Sequence, residues 1–147
     1  NRFTQKIISY FNESKLKKKI TILGWAFKAN TNDSRESPSI AVVKNLLINN
    51  FHVEIYDPLI TIEQIKNDIE TYEPISSDLR SKISNNLITH SSLNSAMINS
   101  KVVAILTDWE QFGDFNWKHF LKYNILFDGR NLFTELTGSN NYYNLNI

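Results

Sequence analysis

The sequence predicts a single α/β domain with a doubly wound, mainly parallel sheet and helices on both faces. Short apolar runs rich in β-branched residues recur along the chain, as expected of strands. Segments whose apolar residues follow helical spacing separate these runs. Because the strands are apolar throughout instead of alternating with polar residues, both faces of the sheet are expected to be covered, as is typical of parallel sheets.

The first half of the chain supplies two strands and three helices. In order, the predicted elements are a helix over 1–12, a strand over 20–23, a helix over 38–50, a strand over 53–56 and a helix over 61–69. The second helix is well marked, since Ser37 is a good N-cap and Pro38 suits the first helical position. Asp57 and Pro58 close the second strand and are expected to form a turn.

The second half begins with a polar, weakly patterned stretch over 72–86, which we expect to be a surface insertion. The elements predicted after it are a short strand over 87–89, a short helix near 93–97, a strand over 102–106, a helix over 117–121 and a strand over 125–127. Thr107 and Asp108 are expected to cap the helix after the 102–106 strand. The tail from Gly138 is rich in Asn and Tyr and is expected to be frayed.

Composition excludes several classes of function. The chain has 147 residues, 41% of them hydrophobic, and a formal net charge of +1, so a core can form and bulk charge favours neither nucleic acid nor a membrane as partner. Zero cysteines and the lack of a long apolar stretch fit a cytoplasmic protein. Three widely spaced histidines predict no metal site and no catalytic triad. The lysines over 15–19 are interpreted as a solvated strand entrance.

The loop after the first strand holds the first candidate site. Ligands of open α/β sheets bind at the carboxyl ends of the strands, where this loop lies. It carries Lys28 and Arg35 and leads to the N-terminus of the helix that begins at Pro38. Backbone N–H groups at that terminus, with the two cations, would suit a phosphate. Equally, the cations could pair with Asp33 and Glu36 on the surface, and spacing alone leaves both interpretations open.

A second candidate follows the last predicted strand. Arg130 comes directly after Asp128 and Gly129, on the same edge of the predicted sheet, so it could converge with Lys28. An Asp-Gly pair alone is also explained by a simple turn. The chain contains four glycines and only Gly24 lies in the first loop, so the Gly-x-Gly-x-x-Gly pattern of a standard NAD-binding domain is missing.

At these same loops the sequence resembles the C-terminal, nucleotide-sugar-binding domain of the UDP-glucose/GDP-mannose dehydrogenase family. The match includes Leu-Gly at 23–24, Ala-Phe-Lys at 26–28, and Thr31, Asp33 and Arg-Glu-Ser at 35–37 in order and spacing. Further agreement lies in the Tyr-Asp-Pro ending at 56–58, in the stretch over 106–112, and in Phe-Asp-Gly-Arg-Asn at 127–131. The resemblance implies a Rossmann-like fold.

Within this family, the last two motifs are most similar to members that oxidise UDP-glucose to UDP-glucuronate with two NAD+. By the resemblance, Phe27 and Lys28 would contact the UDP part of the substrate, and Arg130 would bind the substrate from the last strand end. Arg35 would reach the pyrophosphate of NAD. The family's NAD-binding domain, cysteine nucleophile and catalytic Lys and Asn belong to N-terminal and central parts, so no catalytic residue is expected in this chain.

The resemblance also divides the chain. Residues 1–14 would be the end of a central linking helix, 15–137 the UDP-binding domain and 138–147 the tail. The expected partners are UDP-glucose, the N-terminal NAD-binding domain and, at full length, further copies in a homo-oligomer, whereas turnover by this chain alone is not expected. Two alternatives remain open: a non-catalytic nucleotide-sensing or assembly module, and a relative acting on GDP-mannose or UDP-N-acetylmannosamine.

Overall fold

The computed structural model describes residues 1–71 and 75–145, and in this part six strands form one parallel sheet. The strands are β1 (Lys19–Leu23), β2 (His52–Tyr56), β3 (Leu87–Thr89), β4 (Val102–Ile105), β5 (Ile125–Asp128) and β6 (Tyr142–Asn144). Their order across the sheet is β3-β2-β1-β4-β5-β6, and every neighbouring pair is parallel. The predicted fold class is confirmed, and the strand order reverses between β1 and β4.

Helices cover both faces of the sheet. They are α1 (Arg2–Ser14), α2 (Pro38–Ile48), α3 (Ile62–Thr71), α4 (Ser77–Asn86), α5 (Leu93–Met97), α6 (Glu110–Gly113) and α7 (Trp117–Phe120), with a 3-10 turn over Thr134–Leu136. The first four helices share one hydrophobic cluster with one face of the sheet, and the last three pack on the other face. Within the described residues, none of these helices combines the length and apolarity needed to cross a membrane.

Helix α1 docks on the sheet through an apolar stripe, as its spacing predicts. Phe3, Ile7 and Phe11 are buried, and the ring of Phe3 meets that of Phe127 edge-on with centroids 6.3 Å apart. Asn1 caps the helix by accepting a hydrogen bond from the backbone N–H of Phe3. The helix is therefore part of the same packed unit as the sheet.

The polar stretch over 72–86, predicted to be a surface insertion, contains a helix that packs on the core. Tyr72, Glu73 and Pro74 lie outside the described residues, but α4 occupies 77–86. Ser76 caps it, and Leu79 and Ile83 are buried in the hydrophobic cluster. The sequence pattern missed α4 because two apolar residues four apart suffice to dock a helix of ten residues, which leaves the rest of it polar.

The expectation of a frayed tail is also wrong for residues 142–144. Strand β6 pairs with the edge of β5, and Tyr142 and Asn144 are 3% and 2% exposed. The Tyr143 ring stacks on Phe127 with centroids 5.0 Å apart. Aromatic burial and backbone pairing hold this segment, although its composition is typical of a loop.

Two lysines of the basic run at the start of β1 have local partners. The ammonium group of Lys18 donates to the Asn49 carbonyl oxygen and lies 5.6 Å from the centroid of the Phe51 ring. Lys19 forms an ion pair of 3.0 Å with Glu54. These contacts tie β1 to the β2 region.

Glu54 also contacts a histidine, an arrangement that the sequence did not reveal. His90 Nε2 lies 2.7 Å from a Glu54 oxygen, and His90 Nδ1 lies 3.0 Å from the hydroxyl of Ser95. Burial would raise the pKa of Glu54, but hydrogen bonds from His90 and Lys19 outweigh it and lower that pKa. Lys19 balances the charge of Glu54, and His90 and Ser95 extend the contacts. This polar network joins β1, β2 and the end of β3.

Candidate functional site

The candidate site lies at the carboxyl edge of the sheet, where the strand order reverses. Strands β1 and β4 are neighbours, and the loops that follow them leave this edge in opposite directions. Open α/β sheets bind ligands in the crevice that such a reversal creates. The loop after β5 lies beside it, so three loops, over 24–37, 106–109 and 129–133, surround the crevice.

Gly24 brings the loops of β1 and β4 into direct contact. Its φ is +98°, and a Cβ atom placed there would lie 2.4 Å from the Cβ of Thr107. Only glycine allows both the conformation and the approach. The two loops are therefore packed backbone to side chain at the centre of the candidate site.

Four side chains, from the start of α2 and from the loops after β2 and β4, hold the backbone of residues 24–26. Three hydroxyl groups donate to the three carbonyl oxygens: Ser39 to Gly24 at 3.3 Å, Ser37 to Trp25 at 2.7 Å and Thr107 to Ala26 at 2.9 Å. A single oxygen of Asp57 accepts from the N–H groups of Trp25, at 2.7 Å, and Ala26, at 3.0 Å. Of the six N–H and C=O groups of this tripeptide, five are thus bonded to side chains. The sixth, the Gly24 N–H, donates to the Tyr56 carbonyl oxygen.

This network corrects one expectation and extends another. Thr107 and Asp108 do not cap α6, because Trp109 occupies the N-cap position without a side-chain hydrogen bond. Asp57 does form the predicted turn, since its Oδ1 accepts from the Leu59 N–H at 2.9 Å, but its other oxygen holds the neighbouring loop.

Phe27 and Lys28 emerge from this fixed tripeptide toward solvent. Phe27 is 51% exposed, and its N–H donates to the Asp33 carbonyl oxygen at 2.8 Å. Lys28 is exposed, and no carboxylate in the part of the chain that the structure describes forms an ion pair with it. An exposed aromatic ring beside an accessible ammonium group can contact an apolar moiety and an anion together.

Arg35 forms the surface pair with Asp33 that the sequence left open as one interpretation. Its Nε and Nη2 atoms donate to the two Asp33 oxygens at 3.0 and 2.9 Å. These hydrogen bonds lower the pKa of Asp33 to about 2. Together with Phe27 and Glu36, the pair lines an open depression of about 490 Å³.

The N-terminus of α2 does not offer the donors expected for a phosphate. The N–H of Ser39 donates to the Ser37 hydroxyl, the N–H of Ile40 donates to the Ser37 carbonyl oxygen, and Pro38 has no N–H. Ser37 and Ser39 are also buried, at 4% and 1% exposure. Any anion at this edge would therefore be bound by side chains rather than by this helix terminus.

A second buried aspartate, Asp128, holds the backbone of the loop that carries Arg130. Asp128 is 0% exposed; its Oδ1 accepts from the Arg130 N–H, and its Oδ2 accepts from the Phe133 N–H, both at 3.0 Å. The hydroxyl of Tyr142 donates to the same Oδ2 at 2.7 Å. The guanidinium of Arg130 lies 3.8 Å from an Asp108 oxygen, which joins the loops of β5 and β4.

The structure thus places all four predicted site residues on one edge but only two of them in one depression. Phe27 and Arg35 line it, whereas Lys28 and Arg130 are not among its described lining residues. Sequence reasoning missed the groups that hold the loops, namely Asp57, Thr107, Tyr142 and Asp68, whose carboxylate accepts from the Trp25 indole N–H at 2.8 Å. The available signal was an Asp at the end of each of two strands: Asp57 directly follows β2, and Asp128 is the last residue of β5. Among the described residues, no cluster of His, Asp or Glu could hold a metal ion.

Fold and site together place the chain in the doubly wound α/β class that binds ligands at the switch point of the sheet. Residues 21–135 match the model of the UDP binding domain of the UDP-glucose/GDP-mannose dehydrogenase family. The chain belongs to this family, as the motifs in its loops predicted.

Curated relatives agree with this assignment. The chain is 36% identical over 135 residues to UDP-glucose 6-dehydrogenase of Drosophila melanogaster, with 89% of this chain and 28% of the relative covered. It is 33% identical over 146 residues to UDP-glucose 6-dehydrogenase 4 of Arabidopsis thaliana, with 90% and 30% covered. The chain therefore spans under a third of the length of these relatives.

Solved structures share the fold at low sequence identity. A UDP-D-ManNAc dehydrogenase from Pyrococcus horikoshii matches 98% of this chain and 30% of its own, with a TM-score of 0.67 and 22% identity. A GDP-mannose dehydrogenase from Pseudomonas aeruginosa, solved as a ternary complex, matches 98% and 31%, with a TM-score of 0.62 and 21% identity. The described sheet and helices are thus those of the dehydrogenase fold.

Proposed function

We propose that this chain is the UDP-sugar-binding domain of an NAD-dependent UDP-glucose 6-dehydrogenase, which converts UDP-glucose, two NAD+ and water to UDP-glucuronate and two NADH. The observation that carries the proposal is the position of the cationic loops. Lys28, Arg35 and Arg130 all lie within the residues that match the family, on the carboxyl edge of the sheet. The identity of 33–36% to curated UDP-glucose 6-dehydrogenases favours that substrate over GDP-mannose.

In this proposal three residues bind the nucleotide sugar. The ammonium group of Lys28 and the guanidinium of Arg130 neutralise the diphosphate, while the exposed ring of Phe27 packs against the nucleotide. Guanidinium suits the task because it can donate to two phosphate oxygens at once. No residue of the chain acts as the nucleophile, since the chain has no cysteine.

Arg35 makes a single contact to the cofactor. That contact is to the NAD pyrophosphate. The chain offers neither a glycine-rich loop after β1 nor free N–H groups at the start of α2, so the side chain of Arg35 would make it. The rest of NAD would be bound by a separate domain of the full-length enzyme. When bound, NAD accepts the hydride, and this chain by itself is inactive.

The base preference is tested by titrating the chain with UDP and with GDP in a calorimeter. We expect UDP to bind more tightly, and equal affinity for the two would contradict the assignment to UDP. Steady-state assays of the full-length enzyme on UDP-glucose, GDP-mannose and UDP-N-acetylmannosamine then identify the sugar. If kcat/KM were highest for GDP-mannose or for UDP-N-acetylmannosamine, that nucleotide sugar would be assigned as the substrate instead of UDP-glucose.

The role of Arg130 is tested in the full-length enzyme with Arg130→Ala. Loss of a charge-assisted hydrogen bond should raise the Michaelis constant for the nucleotide sugar about tenfold or more. Lys118→Ala is the control, because Lys118 lies in α7 and belongs to none of the three loops of the site. An unchanged Michaelis constant in Arg130→Ala would refute the assigned contact.

A further inference from the structure

Two of the buried carboxylates that hold the loops of the candidate site, Asp57 and Asp128, have no cationic partner among the described residues. Asp57 directly follows β2 and is 7% exposed, and Asp128 is the last residue of β5 and is 0% exposed. Neither takes part in an ion pair within 1–71 and 75–145. Burying a charge is costly unless hydrogen bonds satisfy it, so the donors around each carboxylate indicate what the charge is for.

The donors to Asp57 belong to the loop that carries Phe27 and Lys28. A turn needs only the bond from the Leu59 N–H to Oδ1. The second oxygen accepts from the N–H groups of Trp25 and Ala26, the residues directly before Phe27, and from the indole N–H of Trp109 at 3.3 Å. One carboxylate thus sets the direction in which the proposed binding pair leaves the sheet.

The donors to Asp128 fix the loop that carries Arg130. Its two oxygens accept from the N–H groups of Arg130 and Phe133, so the carboxylate is bonded near both ends of the 129–133 loop. The Tyr142 hydroxyl completes the set from β6, outside the residues that match the family model. Burial, followed by the hydrogen bond to Asp128, raises the pKa of Tyr142, so this hydroxyl remains a donor across the physiological range.

We propose that Asp57 and Asp128 are paired positioning residues, which hold the backbones of the loops that carry Lys28 and Arg130 so that both cations meet one nucleotide diphosphate. The inference rests on the proposed function and adds to it the groups that set the geometry of binding. Neither carboxylate touches the ligand; each acts through the backbone N–H groups of a neighbouring loop. A carboxylate is required because both of its oxygens receive N–H donors, so an amide would turn an NH₂ group toward at least one of them.

The test uses Asp57→Asn and Asp128→Asn in the full-length enzyme. Each should raise the Michaelis constant for the nucleotide sugar about tenfold, because hydrogen bonds to a charged group are lost and the cation is displaced. The Michaelis constant for NAD and kcat should stay within about twofold, because the lost interactions are made equally in the ground and transition states. Asp78→Asn is the matched control, since Asp78 is exposed and its ion pair among the described residues is with Lys82, also in α4.

A double-mutant cycle distinguishes positioning from general destabilisation. If Asp57 acts through Lys28, adding Asp57→Asn to Lys28→Ala should cost much less than Asp57→Asn costs alone. Multiplying effects, or a fall in kcat with no change in the Michaelis constant, would overturn the proposal. Should an Asn variant fail to fold, Tyr142→Phe keeps the ring and removes one donor to Asp128. It should then raise the nucleotide-sugar Michaelis constant about threefold, and no change would overturn the role of Asp128.

Failure of the positioning role can be separated from failure of the proposed function. If Lys28→Ala and Arg130→Ala raise the Michaelis constant but the Asp variants do not, only the positioning proposal is wrong. If neither cation variant changes it, the binding site itself is misassigned and both proposals are overturned.

Discussion

At the scale of single residues, Gly24 determines how closely the loops of the site can approach. Its positive φ and its contact with Thr107 leave no room for a side chain. The same position starts the tripeptide whose backbone is held by Ser37, Ser39 and Asp57. A change at Gly24 would therefore alter both stability and the site.

Gly24→Ala should lower the free energy of unfolding by roughly 2–5 kcal/mol, because backbone strain and crowding add. Gly138→Ala is the control: its φ is +88°, but a Cβ atom there would have nothing within 4 Å. It should lose only about 1 kcal/mol, the cost of strain alone. Urea denaturation of both variants measures the difference, and equal losses would show that the contact with Thr107 is unimportant.

Asp33 is a second informative residue, since it makes the ion pair that the structure shows at the surface. Its pKa is about 2 in the folded chain, against an ordinary 3.8, because Arg35 donates to its side chain. The unfolded state therefore binds more protons between these two values. The contribution of Asp33 to stability is fully present above pH 3.8 and is lost as the pH falls through about 2.

This shift can be measured by NMR titration of the Asp33 carboxyl carbon. We expect a midpoint near pH 2 in the wild-type chain. In Arg35→Ala the midpoint should rise toward 3.8 without reaching it, because the backbone N–H of residue 35 still donates to Asp33. A wild-type midpoint at the ordinary value would mean that the pair does not persist in solution.

At the scale of elements, β6 links the last part of the chain to the candidate site. It pairs with β5, buries Tyr142 and places its hydroxyl on Asp128. Helix α4 shows the same principle on the other face, where Leu79 and Ile83 anchor a mostly polar segment. In both cases a few buried side chains determine the structure of a segment whose composition is polar.

Tyr142→Ala should lower the free energy of unfolding by about 3–5 kcal/mol, as large aromatic truncations in a core do. Tyr123→Ala is the matched control, because Tyr123 is 81% exposed and its loss should change stability by less than about 0.5 kcal/mol. The midpoints of urea denaturation of the two variants, each compared with the wild type, measure these losses of stability. If both variants were as stable as the wild type, β6 would not be an integral part of the fold.

At the scale of the whole molecule, the sheet places two arginines at different positions on one edge. Arg35 lies in the loop after β1 and lines the depression with Phe27, whereas Arg130 follows β5 and faces Asp108. In the proposed function these are the cofactor contact and the substrate contact. The separation in the fold predicts that the two ligands respond to different substitutions.

In the full-length enzyme, Arg35→Ala should raise the Michaelis constant for NAD about tenfold, because one charge-assisted contact is lost. The constant for the nucleotide sugar should change by less than about twofold, in contrast to Arg130→Ala, since that ligand would lose no contact. Steady-state kinetics with each substrate varied in turn measures both. The reverse pattern would exchange the two assignments.

The sequence by itself determined the α/β class, the order of nearly all helices and strands, and the family. Short apolar runs rich in β-branched residues, such as 102–105, predict buried strands, and motifs such as Arg-Glu-Ser at 35–37 are local in the chain, so both can be read without coordinates. The positions of Phe27, Lys28, Arg35 and Arg130 on one edge also followed, because parallel strands end on the same side of a sheet.

Only the tertiary structure decided how the loops are held. Asp57 receives N–H groups from residues 31 and 32 positions earlier, and Tyr142 reaches Asp128 from 14 positions later. Such partners are set by which strands become neighbours, and turn propensity alone contains no information on that choice. For the same reason α4 and β6 were missed: their polar composition predicts loops, and the burial of a few side chains against distant residues outweighs it.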